Sequence, residues 1–159
     1  MITIFTDGSA RGNPGPGGWG AIVGYEEKVV ELGGSEAHTT NNKMELMAAI
    51  CALESVPKGA SVELNSDSTY VVKGMTDWRY GWETNGWKNA SKKPVENQDL
   101  WKLLIRAAEG KHVSWNVIAG HAGIEGNERC DVIATSYADG EPVSLYNGKR
   151  KGYTISFEI

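Results

Sequence analysis

Residues 2–34 read ITIFTDGSARGNPGPGGWGAIVGYEEKVVELGG, and their reading decides the fold. ITIFT (2–6) is a β-rich run that ends in the turn pair Asp7-Gly8. ARGNPGPGGWG (10–20) carries five glycines and two prolines and reads as a turn. WGAIVGY (19–25) and KVVELGG (28–34) follow as two further strands, which completes a three-stranded meander. In NNKMELMAAICALESV (41–56), Leu46, Ala49, Ile50 and Leu53 recur at helical spacing. Met47, Ala48 and Ala52 widen that apolar face, so the spacing predicts a largely buried helix ending before Pro57. SVELNS (61–66) is a fourth strand, and STYVVKGM (68–75) begins a helix. The stretch 76–97 reads as irregular and polar, with Trp78, Trp82 and Trp87. QDLWKLLIRAAEG (98–110) is amphipathic and stops at Gly110, and HVSWNVI (112–118) is a fifth strand. GHAGIEGNE (120–128) is a Gly-rich loop, RCDVIATSYA (129–138) a final helix and YTISFEI (153–159) a candidate last strand. The order β-β-β-α-β-α-α-β-α implies a mixed sheet flanked by helices, an α/β class that is α+β by strict sheet order.

One domain is expected for 159 residues, and a core of that size needs no staples. With 40% hydrophobic and 23% charged residues the chain reads as soluble and globular. Cys51 and Cys130 stand alone in helical patterns, with no zinc spacing, and read as reduced core or near-core thiols of a cytoplasmic protein. No charged-then-apolar leader and no long apolar run is present, so neither a signal peptide nor a membrane span is expected. The net charge of −4 is unevenly spread. Residues 73–93 hold Lys73, Arg79, Lys88, Lys92 and Lys93 against Asp77 and Glu83. A basic, Trp-rich segment inside an acidic protein fits a phosphate-gripping patch set apart from an acidic centre.

Four acidic residues suggest that centre. Asp7 and Asp67 each end a strand, while Glu45 and Asp131 each enter a run of helix formers. Carboxylates at strand ends and helix starts can converge at one sheet edge, where hard oxygen ligands suit Mg²⁺ or Mn²⁺. Two such ions side by side serve in-line phosphodiester hydrolysis. Each residue also has a plain alternative. Asp7-Gly8 is ordinary turn chemistry, Asn42-Lys-Met-Glu45 fits a capping box, Asp67 fits a helix cap and Asp131 fits a solvated helix charge. The GNPGPGG stretch lacks the Lys-Ser/Thr of a P-loop and reads only as a hairpin.

The surrounding words weigh against four coincidences. IFTDGSxxGNPGPGGxG, TTNNKMELMAAI, SDSTYV, KKPVxNxDLW and GHAGxxxNERCD resemble the bacterial type 1 ribonuclease H family in order and spacing, through most of residues 2–135. The resemblance implies a ribonuclease H-like fold, a five-stranded mixed sheet whose first three strands are antiparallel. It divides the chain into a catalytic domain over 1–138, with a basic protrusion at about 76–97, and a C-terminal extension over 139–159. It implies a metal-dependent endoribonuclease that cuts the RNA strand of RNA–DNA hybrids and leaves 5′-phosphate and 3′-hydroxyl ends. Asp7, Glu45, Asp67 and Asp131 match the carboxylates that hold two Mg²⁺ ions, with Mn²⁺ as a substitute. His121 matches a flexible-loop histidine that handles a proton or helps product and metal leave.

Other matches concern the hybrid duplex. Asn13, Asn41 and Asn42 match positions that contact the minor groove, where the RNA 2′-hydroxyl is exposed. Thr40 and Asn97 match positions that grip a DNA-strand phosphate. Trp78, Lys88, Lys92 and Lys93 match the basic protrusion, while Trp82 and Trp87 also suit a small satellite core. A monomer with no obligatory protein partner is expected. There are departures. His38 stands where arginine is expected, Thr69 where glutamine is common, Ala119 where lysine is expected and Glu96 in place of a basic residue. Three of these, His38, Ala119 and Glu96, trim positive charge, and Thr69 alters a minor-groove contact instead. Rival readings are a transposase, resolvase or ATPase of the same superfold, which would not carry the basic Trp segment. A non-catalytic hybrid binder would be expected to have lost a carboxylate.

Overall fold

The first strand, β1 (Ile2–Ala10), runs straight through Asp7-Gly8 instead of turning there. The turn comes later, over residues 11–14, and includes a cis Asn13–Pro14 bond. β2 (Gly15–Gly24) and β3 (Lys28–Thr39) complete an antiparallel meander with β1. The glycines of residues 15–20 are therefore strand residues, which corrects the expectation of a turn. Packing gives the reason. A Cβ on Gly18 would collide with the carbonyl of Ala134, and one on Gly20 would lie 2.7 Å from that of Cys130. Bare backbone on this face lets the last helix lie directly on the sheet.

The computed structural model describes all residues, Met1–Ile159. After β3 come α1 (Asn41–Glu54) and β4 (Ser61–Ser66). Then α2 (Thr69–Lys73), a π-helical turn (Gly74–Trp78) and α3 (Arg79–Thr84) run on continuously. They make helical a stretch that reads as irregular from residue 76. α4 (Gln98–Ala108), β5 (His112–Val117) and α5 (Glu125–Ala138) follow. The last helix thus begins four residues before the expected start, and Asp131 lies in its second turn. β6 (Asn147–Lys149) is a sixth strand, antiparallel to β3, whereas residues 153–159 form no strand. In YTISFEI, Tyr153 and Phe157 pack onto the sheet face instead of extending its edge. Phe157, for example, covers Gly24.

The sheet order is β5-β4-β1-β2-β3-β6, with β4 parallel to β1 and to β5. Alternation along the strands splits the core into two layers. Ile4, Ala21 and Val23 face α1 and α4, where Leu46, Leu53, Trp101 and Leu104 are fully buried. Phe5, Ile22 and Val29 face the other side with Cys130 of α5. Trp82 and Trp87 pack against the first layer through Trp101, at centroid distances of 5.2 Å from Trp82 to Trp101 and 5.7 Å from Trp82 to Trp87. Both are half-buried against the main core and form no separate satellite. Both cysteines are free, Cys51 half-buried and Cys130 buried. No helix is long and apolar enough to cross a membrane.

Candidate active site

The parallel pairing of β1 with β4 sets two carboxylates side by side. Thr6 pairs with Ser66, and Asp7 and Asp67 follow immediately on their strands. The third comes from α1, whose first turns press down on β1. A Cβ on Gly8 would collide with the backbone nitrogen of Glu45, so glycine is what allows the helix to approach. The cap of α1 is Thr40, whose hydroxyl accepts from the Lys43 N–H at 3.2 Å. The alternative capping box between Asn42 and Glu45 does not form, since Thr40 is the cap, and Glu45 is buried beside Asp7 and Asp67.

One oxygen each from Asp7, Glu45 and Asp67 lies within 4.8 Å of the others. Asp7 and Glu45 are buried and Asp67 is half-buried. Asp131, also half-buried, stands outside this tight trio, yet its charge reaches Asp7. Burial, then the charges of Asp67 and Asp131, push the Asp7 carboxyl up to about 8. The Gly8 N–H, donating to Asp7 Oδ1 at 3.0 Å, opposes this only partly. Glu45 is raised well above the usual carboxylate range by burial first, then by Asp7 and Asp67.

Glu45 Oε1 is buried with no hydrogen-bond partner. Such an oxygen is unfavourable by about 1–3 kcal/mol, more when charged. A divalent cation offsets that penalty and the mutual repulsion together, and hard oxygens are the donors such ions take. The trio therefore fits a divalent metal on its own chemistry.

His121 stands on the exposed loop between β5 and α5, in the left-handed backbone region at φ 55°. The residue before it crosses directly over Asp67, since a Cβ on Gly120 would lie 2.8 Å from Asp67 Oδ2. The loop that carries the imidazole is thus anchored at the edge of the carboxylate group.

Asn13, Thr40, Asn41, Asn42 and Asn97 line one wholly polar depression of about 380 Å³. The Asn41 N–H donates to Asn13 Oδ1 at 3.2 Å, which ties the β1–β2 turn to the start of α1. Asn97 sits at φ 58° and donates its amide to Tyr70 Oη at 3.0 Å. Trp101 Nε1 donates to the same hydroxyl at 3.1 Å. Glu96 lines the depression as well, a carboxylate among groups otherwise suited to an anion.

Beside it, Trp78 is 40% exposed and packs edge-on against Tyr70. Lys88, Lys92 and Lys93 are all exposed on a loop pinned by Asn89, whose side chain accepts from the Ser91 and Lys93 N–H groups. His38 is exposed on β3, and Thr69 opens α2. Sequence reasoning passed over Lys43, Tyr70 and Gly120. Lys43 directly follows the quoted Asn41 and Asn42 and could have been found. Tyr70 and Gly120 act only through residues remote in the chain.

Comparison with known proteins gives one answer. The family model for RNase H matches residues 1–139. The ribonuclease H of Nitrobacter hamburgensis is 56% identical over 133 residues, 84% of this chain and 88% of that protein. The ribonuclease HI of Caulobacter vibrioides is 54% identical over 133 residues, 84% of this chain and 89% of that one. Among solved structures, the crystal structure of a type 1 RNase H (LC9-RNase H1) superposes with a TM-score of 0.82 at 33% identity. It covers 92% of this chain and 76% of that chain.

Proposed function

Because this chain belongs to the ribonuclease H family, we propose that it hydrolyses the RNA strand of RNA–DNA hybrids, leaving 5′-phosphate and 3′-hydroxyl ends. The observation that carries the reading is the unpaired, buried Glu45 Oε1 beside Asp7 and Asp67. Asp7, Glu45, Asp67 and Asp131 would hold two Mg²⁺ ions, or Mn²⁺ in their place. Bound there, the ions supply activation of water for in-line attack and stabilisation of the departing 3′ oxygen.

The protein's own groups do the rest. The polar depression of Asn13, Thr40, Asn41, Asn42 and Asn97 takes the minor groove and a DNA-strand phosphate. Trp78 with Lys88, Lys92 and Lys93 grips the duplex backbone further along. These contacts fix the register in which the scissile phosphate meets the carboxylates. His121 handles a proton at the cleaved phosphate. Residues 1–138 form the catalytic domain in this reading, acting as a cytoplasmic monomer.

The test is turnover of an end-labelled hybrid, with single-stranded RNA and duplex DNA as controls, in Mg²⁺ and in EDTA. The expected result is metal-dependent cutting of hybrid RNA alone, with end chemistry read by mass spectrometry. Equal cutting of hybrid and duplex DNA sinks the proposal.

A further inference from the structure

The family match ends at residue 139, yet the twenty residues after it are not loose. Glu31, buried on β3, accepts both Arg129 nitrogens at 2.8 and 2.9 Å, the Tyr153 hydroxyl at 2.7 Å and the Tyr146 N–H at 2.8 Å. The chain then turns back across the sheet face. Arg150 lies over the Phe157 ring at 4.3 Å and donates to the Tyr25 carbonyl at 2.7 Å. Phe157 packs against Phe5 at a centroid distance of 6.0 Å, two residues before Asp7 in β1. Phe5 in turn abuts Gly126 in the first turn of α5.

The last residues reach the histidine loop itself. Ser156 N–H donates to Glu125 Oε1 at 3.3 Å, on the first residue of α5. Ser156, Glu158 and Ile159 share a groove of about 250 Å³ with Ala122, Gly123 and Ile124, the residues that directly follow His121. That loop is held at one end by Gly120 over Asp67. At its other end it meets the tail.

We propose that residues 153–159 are a positioning element for the proposed reaction, bracing the loop that carries His121. Phe157 and the Ser156–Glu125 hydrogen bond are the fasteners. The inference rests on the functional reading given above. Without the brace the loop samples more conformations, so His121 is less often in place, whereas the polar depression of Asn13, Thr40, Asn41, Asn42 and Asn97 shares no residue with the tail's groove and keeps its form. The signature is a loss in kcat with little change in KM.

The test is a double-mutant cycle between a chain ending at Ile155 and His121→Ala, with hybrid cleavage measured well below the melting temperature of each variant. The truncation is expected to lower kcat by about tenfold and leave KM within about twofold. In the His121→Ala background it should change kcat hardly at all, because the two act through one group. Should the truncated chain fail to fold, Glu125→Ala, at an exposed position, removes the hydrogen bond alone. It should give the same pattern at roughly threefold. Wild-type kcat in the folded variant, or an equal loss with and without His121, overturns the proposal. Failure of the intact protein to cut hybrid would overturn the functional reading instead.

Discussion

Replacing Asp7 with asparagine should abolish most turnover and yet make the metal-free protein more stable at neutral pH. The Asp7, Glu45 and Asp67 oxygens lie within 4.8 Å of one another, and two unit charges at about 5 Å repel by roughly 3 kcal/mol at an effective dielectric near 20. The ionisation of Asp7 gives a similar figure. Burial, with the charges of Asp67 and Asp131, lifts its carboxyl from 3.8 to about 8. A group raised in the folded state costs nothing below its unfolded value. The penalty then grows as pH climbs toward the folded value and is complete above it. At pH 7 that amounts to about 4 kcal/mol at 1.36 kcal/mol per unit, and at pH 5 to well under half of it. Both are upper figures, since water reaching the half-buried side of the trio weakens the repulsion.

Asparagine keeps the acceptor that Gly8 N–H uses at 3.0 Å and removes only the charge. The expected gain is about 2 kcal/mol at pH 7, roughly 4–8 °C in Tm for a domain of this size. The assay is thermal unfolding in EDTA of wild type and Asp7→Asn at pH 7 and pH 5. The gain should shrink to about a third at the lower pH, following the linkage slope. No gain, or the same gain at both pH values, would mean that Asp7 is not part of a charged cage.

Other outcomes follow from the same structure. Neutralising Lys88, Lys92 and Lys93 together should raise KM with kcat nearly unchanged, and should flatten the salt dependence of binding by roughly two to three in log–log slope. An unchanged slope would return that loop to a structural role. His121→Ala should lower kcat on the order of 10²-fold while leaving metal affinity intact, as calorimetric titration would read. Glu31→Ala should destabilise the fold by roughly 2–3 kcal/mol, because it leaves the Tyr153 hydroxyl and Tyr146 N–H without their acceptor and the part-buried Arg129 without its partner. Burial alone would raise Glu31, but its bonds from Arg129, Tyr153 and Tyr146 outweigh that and hold it below the usual value. Its stabilising contribution is therefore present above the ordinary glutamate range and lost as pH falls through the lowered folded value. Acid denaturation of wild type and variant should converge there.

Much of this protein was legible without coordinates. The meander, the buried helix around Glu45 and the β4–α2 junction at Asp67 follow from local periodicity and turn chemistry, and five motif words in register identified the family. What local signals could not supply is where bare backbone is required by something distant. Gly18 reads as a turn residue because nothing near it in the chain announces that α5 will lie on it, and the Asp7-Gly8 pair misled for the same reason, since α1 comes to rest against Gly8. The capping box at Asn42 was plausible locally and lost to Thr40, because the cage claims the Glu45 carboxylate. Asp131 illustrates the limit in the other direction. Its motif marks it as a site residue, but only the placement of α5 sets it beside the trio instead of within it. The sequence by itself determined which residue types are available for metal and phosphate chemistry, since that is a matter of composition and motif. Only the tertiary structure decided which oxygens stand within 4.8 Å of each other and which loop the chain's last residues brace. Those distances arise from helices packing on a sheet across long separations in the chain, a balance of close packing and burial that no local window contains.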